Sequence, residues 1–188
     1  MIGKNIPNII TVIRLILVGP FLFYLLSDNY EYAFYVFTVA GLSDGLDGLL
    51  ARRYGWISRF GCVADPLADK LLMMTSFLAL TYHGKLPIWL TSLVITRDVV
   101  IVAGVSGLYY LFRKVDFTPT PISKLNTALQ IILIFLLLFE LAYDTLPSQL
   151  ISTIMICMVV TTVVSFVHYV LVWGATAFKE WQHHVRVR

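Results

Sequence analysis

Residues 43–70 read SDGLDGLLARRYGWISRFGCVADPLADK, which sets Asp44, Asp47, Asp65 and Asp69 close together in a chain that is 59% hydrophobic and only 13% charged. An ionised side chain at the centre of a membrane helix costs roughly 2.5–3.5 kcal/mol on insertion scales, so acids kept together in such a chain need partners or water. Asp44 and Asp47 are three residues apart and Asp65 and Asp69 four apart, so each pair shares one face of a helix. The residues between, Arg53 to Phe60 with Gly55 among them, read as a short turn. Such a turn makes the two helices antiparallel neighbours and directs both acidic faces toward one pocket.

Working outward, long apolar windows recur along all 188 residues. A bilayer core about 30 Å thick takes roughly 20 mostly apolar helical residues per crossing. Six windows satisfy this, at about 7–26, 31–52, 61–82, 87–112, 121–142 and 147–173. Four of them open at or beside a proline, which suits the first helical turn because the missing N–H would lack an intrahelical partner there. The expectation is an all-α integral membrane protein, one domain over residues 1–188, with six transmembrane helices around a cytoplasm-facing polar active site.

The first window lacks the pattern of a cleaved signal peptide and is expected to persist as a helix. Cys62 and Cys157 lie far apart inside apolar windows and read as small packing residues. Basic residues fall almost entirely on one side of the windows, with only Lys85 on the other. That bias places both termini and the acidic stretch in the cytoplasm, or the organellar equivalent. The net charge of +3 then suits anionic lipid headgroups, and nucleic acid need not be invoked.

Four carboxylates in one pocket repel one another unless protonation or a counter-charge intervenes. Hard oxygen ligands suit Mg²⁺, Mn²⁺ or Ca²⁺, and two divalent ions balance four negative charges. Gly45, Gly48 and Ala51 surround the acids with small side chains, and Arg52, one turn beyond Gly48, is placed to hold a phosphate. The complete spacing is specific. It runs Asp-x-x-Asp-Gly-x-x-Ala-Arg, then eight residues to Gly61, three more to Asp65 and three more to Asp69.

This pattern resembles the signature of the CDP-alcohol phosphotransferases, matched by Asp44, Asp47, Gly48, Ala51, Arg52, Gly61, Asp65 and Asp69. The resemblance implies a six-helix membrane core, a homodimer, and two divalent ions, Mg²⁺ or Mn²⁺, assisting displacement of CMP from CDP-diacylglycerol. It implies that Asp44, Asp47 and Asp65 bind metal and that Asp69 completes the site and acts as general base. Gly48, Arg52 and Gly61, with Asn8 and Thr11 of the first helix, would line the nucleotide and diphosphate.

The segments NIPNIITVIR at 5–14 and DPLADKLL at 65–72 resemble the glycerol-headgroup branch. The segments ITRDVVIVAG at 95–104 and PTPISKLNTALQ at 119–130 are closer to its cardiolipin synthases than to its phosphatidylglycerophosphate synthases. The implied acceptor is phosphatidylglycerol, with glycerol 3-phosphate as the alternative. Arg14, Arg97 and Lys124 are the candidate acceptor-binding residues, since each can contact a phosphate oxygen. Arg97 has a competing role in pairing with the adjacent Asp98. His168, His183 and His184 read as packing or solvated residues, and the tail after Trp173 as an amphipathic helix on the anionic leaflet.

Two other classes compete. Intramembrane prenyltransferases also hold diphosphate through aspartates but carry two separated acidic motifs, whereas this chain has one split cluster. A cation transporter would use the acids as an ion path and is expected to show internal repeats, which are not visible here. The host membrane is expected to be a bacterial or a mitochondrial inner membrane.

Overall fold

The protein is described from a computed structural model, covering residues 6–54, 59–112 and 120–186. These form six α-helices: α1 (Ile6–Leu26), α2 (Tyr30–Tyr54), α3 (Arg59–Tyr82), α4 (Ile88–Phe112), α5 (Pro121–Tyr143) and α6 (Ser148–Arg186). Each coincides with one apolar window, and α4, α5 and α6 begin at or just after Pro87, Pro121 and Pro147. The segment after Trp173 is helical and continues α6. Among the described residues, three stretches are long and apolar enough to cross a bilayer: Ile9–Leu26, Pro121–Tyr143 and Ser148–Leu171.

The helices group into two compact units. The first comprises residues 1–87 with 131–151, and the second residues 88–130 with 152–188. In the first unit α1 packs against both α2 and α3. Its buried residues Thr11, Arg14, Phe21 and Leu25 recur at helical spacing and form one inward face. On α2 the buried stripe is Ala33, Phe37 and Ala40, and Asp44 continues it one turn further on. On α3 Asp69 opens the stripe that proceeds through Leu72, Ser76 and Leu80. The amphipathic pattern of α1 therefore sets Arg14 at the level where the acidic ends of its two neighbours arrive.

Aromatic rings close the rest of this unit. Phe21 of α1 meets Phe37 of α2 at 5.8 Å, and Phe34 of α2 lies 5.1–6.0 Å from the rings of Phe135, Phe139 and Tyr143 on α5. Hydroxyls on α2 and α3 fold back on their own helices. Thr38, Ser43, Ser76 and Thr81 each donate to the carbonyl four residues earlier at 2.6–2.8 Å, which removes an unpaired donor from an apolar setting.

The ends of α1 and α3 away from the acids are capped in the same way. Asp28 (φ 56°) and Gly84 (φ 68°) adopt the left-handed conformation. The following amides, Asn29 N–H and Lys85 N–H, donate to the carbonyls of Tyr24 and Leu80 at 2.9 and 2.8 Å. Asp28 also accepts a hydrogen bond from Tyr30 at 2.6 Å and lies 3.1 Å from His83 Nδ1, which ties the two turns together.

In the second unit the buried positions of α4 are Leu90, Thr91, Val94, Arg97 and Asp98, again at helical spacing. Those of α6 are Met158, Thr162, Ser165 and Tyr169. The N-terminal part of α5 contributes Asn126 and Gln130. Asn126 Oδ1 accepts hydrogen bonds from Thr161 and Thr162 at 3.0 and 2.7 Å, joining α5 to α6 by polar contacts, where lipid supplies no hydrophobic drive between helices.

Replacing Phe34 with Ala removes the ring at the centre of the α2–α5 cluster. The expected loss is about 2 kcal/mol, below the roughly 3–5 kcal/mol of a water-soluble core because lipid also solvates the exposed surface. Thermal unfolding of the purified protein in detergent should show a lowered midpoint.

Candidate active site

Arg14 of α1 is the centre of the site. Its side chain is 1% exposed, yet one terminal nitrogen, Nη1, lies 2.8 Å from Asp44 Oδ1 and 2.6 Å from Asp69 Oδ1. Residues 14, 44 and 69 are distant in sequence, and one guanidinium nitrogen joins them across three helices. The two carboxylate oxygens are accordingly no farther apart than the sum of those distances. Both acids remain 46% exposed while the arginine is buried. A buried guanidinium keeps its charge and cannot be left without an anion, which makes this junction energetically obligatory.

The spacing argument thus brings one member of each acidic pair to a common point. Asp47, Gly48 and Arg52 lie on α2, and Gly61 and Asp65 on α3. Their side chains lie outside the described residues, as does that of Asn8 on α1. Among the described residues, no group of three or more His, Cys, Asp or Glu side chains is gathered. Thr11 is fully buried on the same face of α1 as Arg14, about one turn away. A Cβ added at Gly45 would meet no described atom within 4 Å, so the position next to Asp44 faces open space.

Arg14, a candidate acceptor-binding residue, has the two aspartates among its partners. Two hard carboxylate oxygens converge at this point, each paired with the guanidinium. Such donors fit Mg²⁺ or Mn²⁺.

A second polar centre lies in the other unit. Arg97 Nη1 donates to Asp98 at 2.8 Å, the competing pairing that the sequence raised. Arg97 Nη2 donates to the hydroxyls of Ser123 on α5 and Ser165 on α6 at 2.6 and 2.7 Å. The guanidinium carbon lies 5.9 Å from the centre of the Tyr169 ring, within cation–π range. Lys124, adjacent to Ser123, is exposed.

Ser123, Ser165 and Tyr169 were not singled out from the sequence. The available signal was a polar stripe at helical spacing on an apolar helix, namely Ser123, Asn126, Thr127 and Gln130 on α5 and Thr162, Ser165 and Tyr169 on α6.

Residues 4–178 match the family described as CDP-alcohol phosphatidyltransferase. A rat protein named cardiolipin synthase (CMP-forming) is 32% identical over 181 residues, covering 88% of this chain and 60% of the rat protein. A Mycobacterium tuberculosis protein named probable phosphatidylglycerophosphate synthase is 32% identical over 173 residues, covering 88% of this chain and 80% of that protein. An Aquifex aeolicus protein named CDP-diacylglycerol–glycerol-3-phosphate 3-phosphatidyltransferase is 30% identical over 181 residues, covering 94% of this chain and 99% of that protein. The chain thus spans 60% of the rat relative and 48% of a human one bearing the same name.

Arg97→Leu takes the guanidinium from buried Asp98 and is expected to cost about 3–5 kcal/mol of stability. Adding Asp98→Leu should return most of that loss, because both charges are then gone. Unfolding midpoints of the single and double variants in detergent test the pair.

Proposed function

The chain belongs to the CDP-alcohol phosphatidyltransferase family, and from that premise we propose that it transfers a phosphatidyl group from CDP-diacylglycerol to an alcohol with release of CMP. The acceptor is phosphatidylglycerol and the product cardiolipin. The observation that carries this reading is the meeting of Asp44 and Asp69 on a single nitrogen of Arg14. It brings acids from two helices into one partly exposed cluster of the kind that a diphosphate-bound cation requires.

Asp44, Asp47, Asp65 and Asp69 would hold two divalent ions, Mg²⁺ or Mn²⁺. When bound, these supply neutralisation of the diphosphate and of the charge that grows on departing CMP. Gly48, Arg52 and Gly61, with Asn8 and Thr11, would line the nucleotide and diphosphate. The acceptor oxygen bonds to the lipid-bearing phosphorus as the bond from that phosphorus to CMP breaks. Asp69 takes the hydroxyl proton. A carboxylate is a weak base toward an alcohol, so its placement and late proton transfer matter more than its basicity. Arg97 and Lys124 would orient the acceptor through its phosphate.

In this reading all six helices cross the membrane and both termini face the cytoplasm or its organellar equivalent. The membrane is a bacterial or mitochondrial inner membrane, and the protein acts as a homodimer. A second acceptor, glycerol 3-phosphate, is favoured by one observation. The Aquifex and Mycobacterium relatives, whose names specify glycerophosphate chemistry, match at 30% and 32% identity, level with the 32% of the rat cardiolipin synthase, and over a larger share of their own length.

The purified protein is to be given labelled CDP-diacylglycerol and Mg²⁺ or Mn²⁺, with phosphatidylglycerol and glycerol 3-phosphate offered separately. CMP release with phosphatidylglycerol is expected; release only with glycerol 3-phosphate selects the second acceptor, and release with neither sinks the transferase reading. EDTA is expected to abolish turnover, with recovery on adding the metal back. Asp69→Asn is expected to abolish turnover while nucleotide binding stays measurable, and near-normal turnover would exclude Asp69 as the base.

A further inference from the structure

We infer that Arg14 is a resident counter-charge that makes cation binding at Asp44 and Asp69 depend on the diphosphate being present; this rests on the metal site proposed above. The guanidinium takes hydrogen-bonding capacity from Oδ1 of both acids, at 2.8 and 2.6 Å, and an incoming cation has to share or displace those contacts. Arg14 cannot withdraw to solvent, because its side chain is 1% exposed and lies on the packed face of α1. The acids, in contrast, are 46% exposed.

The charge balance gives the coupling its sign. Two divalent ions would match four carboxylates, so with the guanidinium added the loaded site carries excess positive charge. In a partly buried setting such an excess weakens cation binding. A diphosphate removes it, and gives Arg14 a replacement anion when the carboxylates turn toward metal. Each ligand therefore raises the affinity of the other by the same factor. In their absence Arg14 keeps the acids paired and the three helices joined, so the empty site does not split apart by repulsion. Arg14 is a positioning residue in this scheme and makes no contact with reacting atoms.

The experiment is Mn²⁺ binding to the full-length protein in detergent, followed by electron paramagnetic resonance at buffered free Mn²⁺, with and without CDP. For the wild type, CDP is expected to tighten Mn²⁺ binding about tenfold or more, within the usual range of coupling between sites. Arg14→Met is expected to bind Mn²⁺ without CDP about tenfold more tightly than the wild type, with the effect of CDP reduced. Arg14→Lys, which keeps the charge, should retain most of the CDP effect. Unchanged or weaker Mn²⁺ binding by Arg14→Met without CDP overturns the inference. If that variant does not fold, the wild type decides alone, since equal Mn²⁺ affinity with and without CDP also overturns it. No Mn²⁺ binding in either condition sinks the metal site itself, an outcome readable apart from the others.

Discussion

A cation that cannot lose its charge is buried among apolar helices, and the first unit is organised around satisfying it. Arg14 reaches Asp44 and Asp69 through one nitrogen, so α1, α2 and α3 must keep a register in which all three residues meet. The apolar stripes above that level, with Phe21 against Phe37, follow the same register. Packing alone would tolerate slippage by small shifts, because lipid solvates an exposed Leu almost as well as a neighbouring helix does. A misplaced guanidinium has no comparable escape.

That division of labour explains how much was legible beforehand. Long apolar runs located all six helices, and proline marked the starts of α4, α5 and α6 because the first turn has no use for the N–H that proline lacks, although Pro20 lies inside α1. Helical spacing and a short connection led to the expectation that the acidic pairs converge, and of the four acids Asp44 and Asp69 are seen to meet, on Arg14. The partner of those acids was not legible. Arg14 stands 30 residues before Asp44, and nothing in a single sequence distinguishes an arginine awaiting a substrate phosphate from one already neutralised by carboxylates. Only the inward face of α1, defined by Thr11, Phe21 and Leu25, separates the two, and that face becomes evident once the neighbours are in place. The side chains of Asp47 and Asp65, on which the rest of the acidic reading depends, lie outside the described residues.

Arg97 illustrates the same limit differently. The adjacent Asp98 was visible as a partner, but the hydroxyls of Ser123 and Ser165 come from helices distant in sequence. A guanidinium has five donors, and one carboxylate seldom satisfies them all. The surplus donors predict further acceptors without saying which residues provide them. Serine and threonine are poor markers for the purpose, since on α2 and α3 the same hydroxyls are spent on their own backbone.

The uninterrupted course of α6 has a mechanical consequence. At about 1.5 Å per residue its 39 residues reach about 58 Å, nearly twice the roughly 30 Å of a hydrocarbon layer. A rod of that length traversing the bilayer cannot also recline on its surface without a bend. With Ser148–Leu171 as the stretch that crosses, the last turns of α6, about 22 Å of helix at about 1.5 Å per residue, would extend past the hydrocarbon layer.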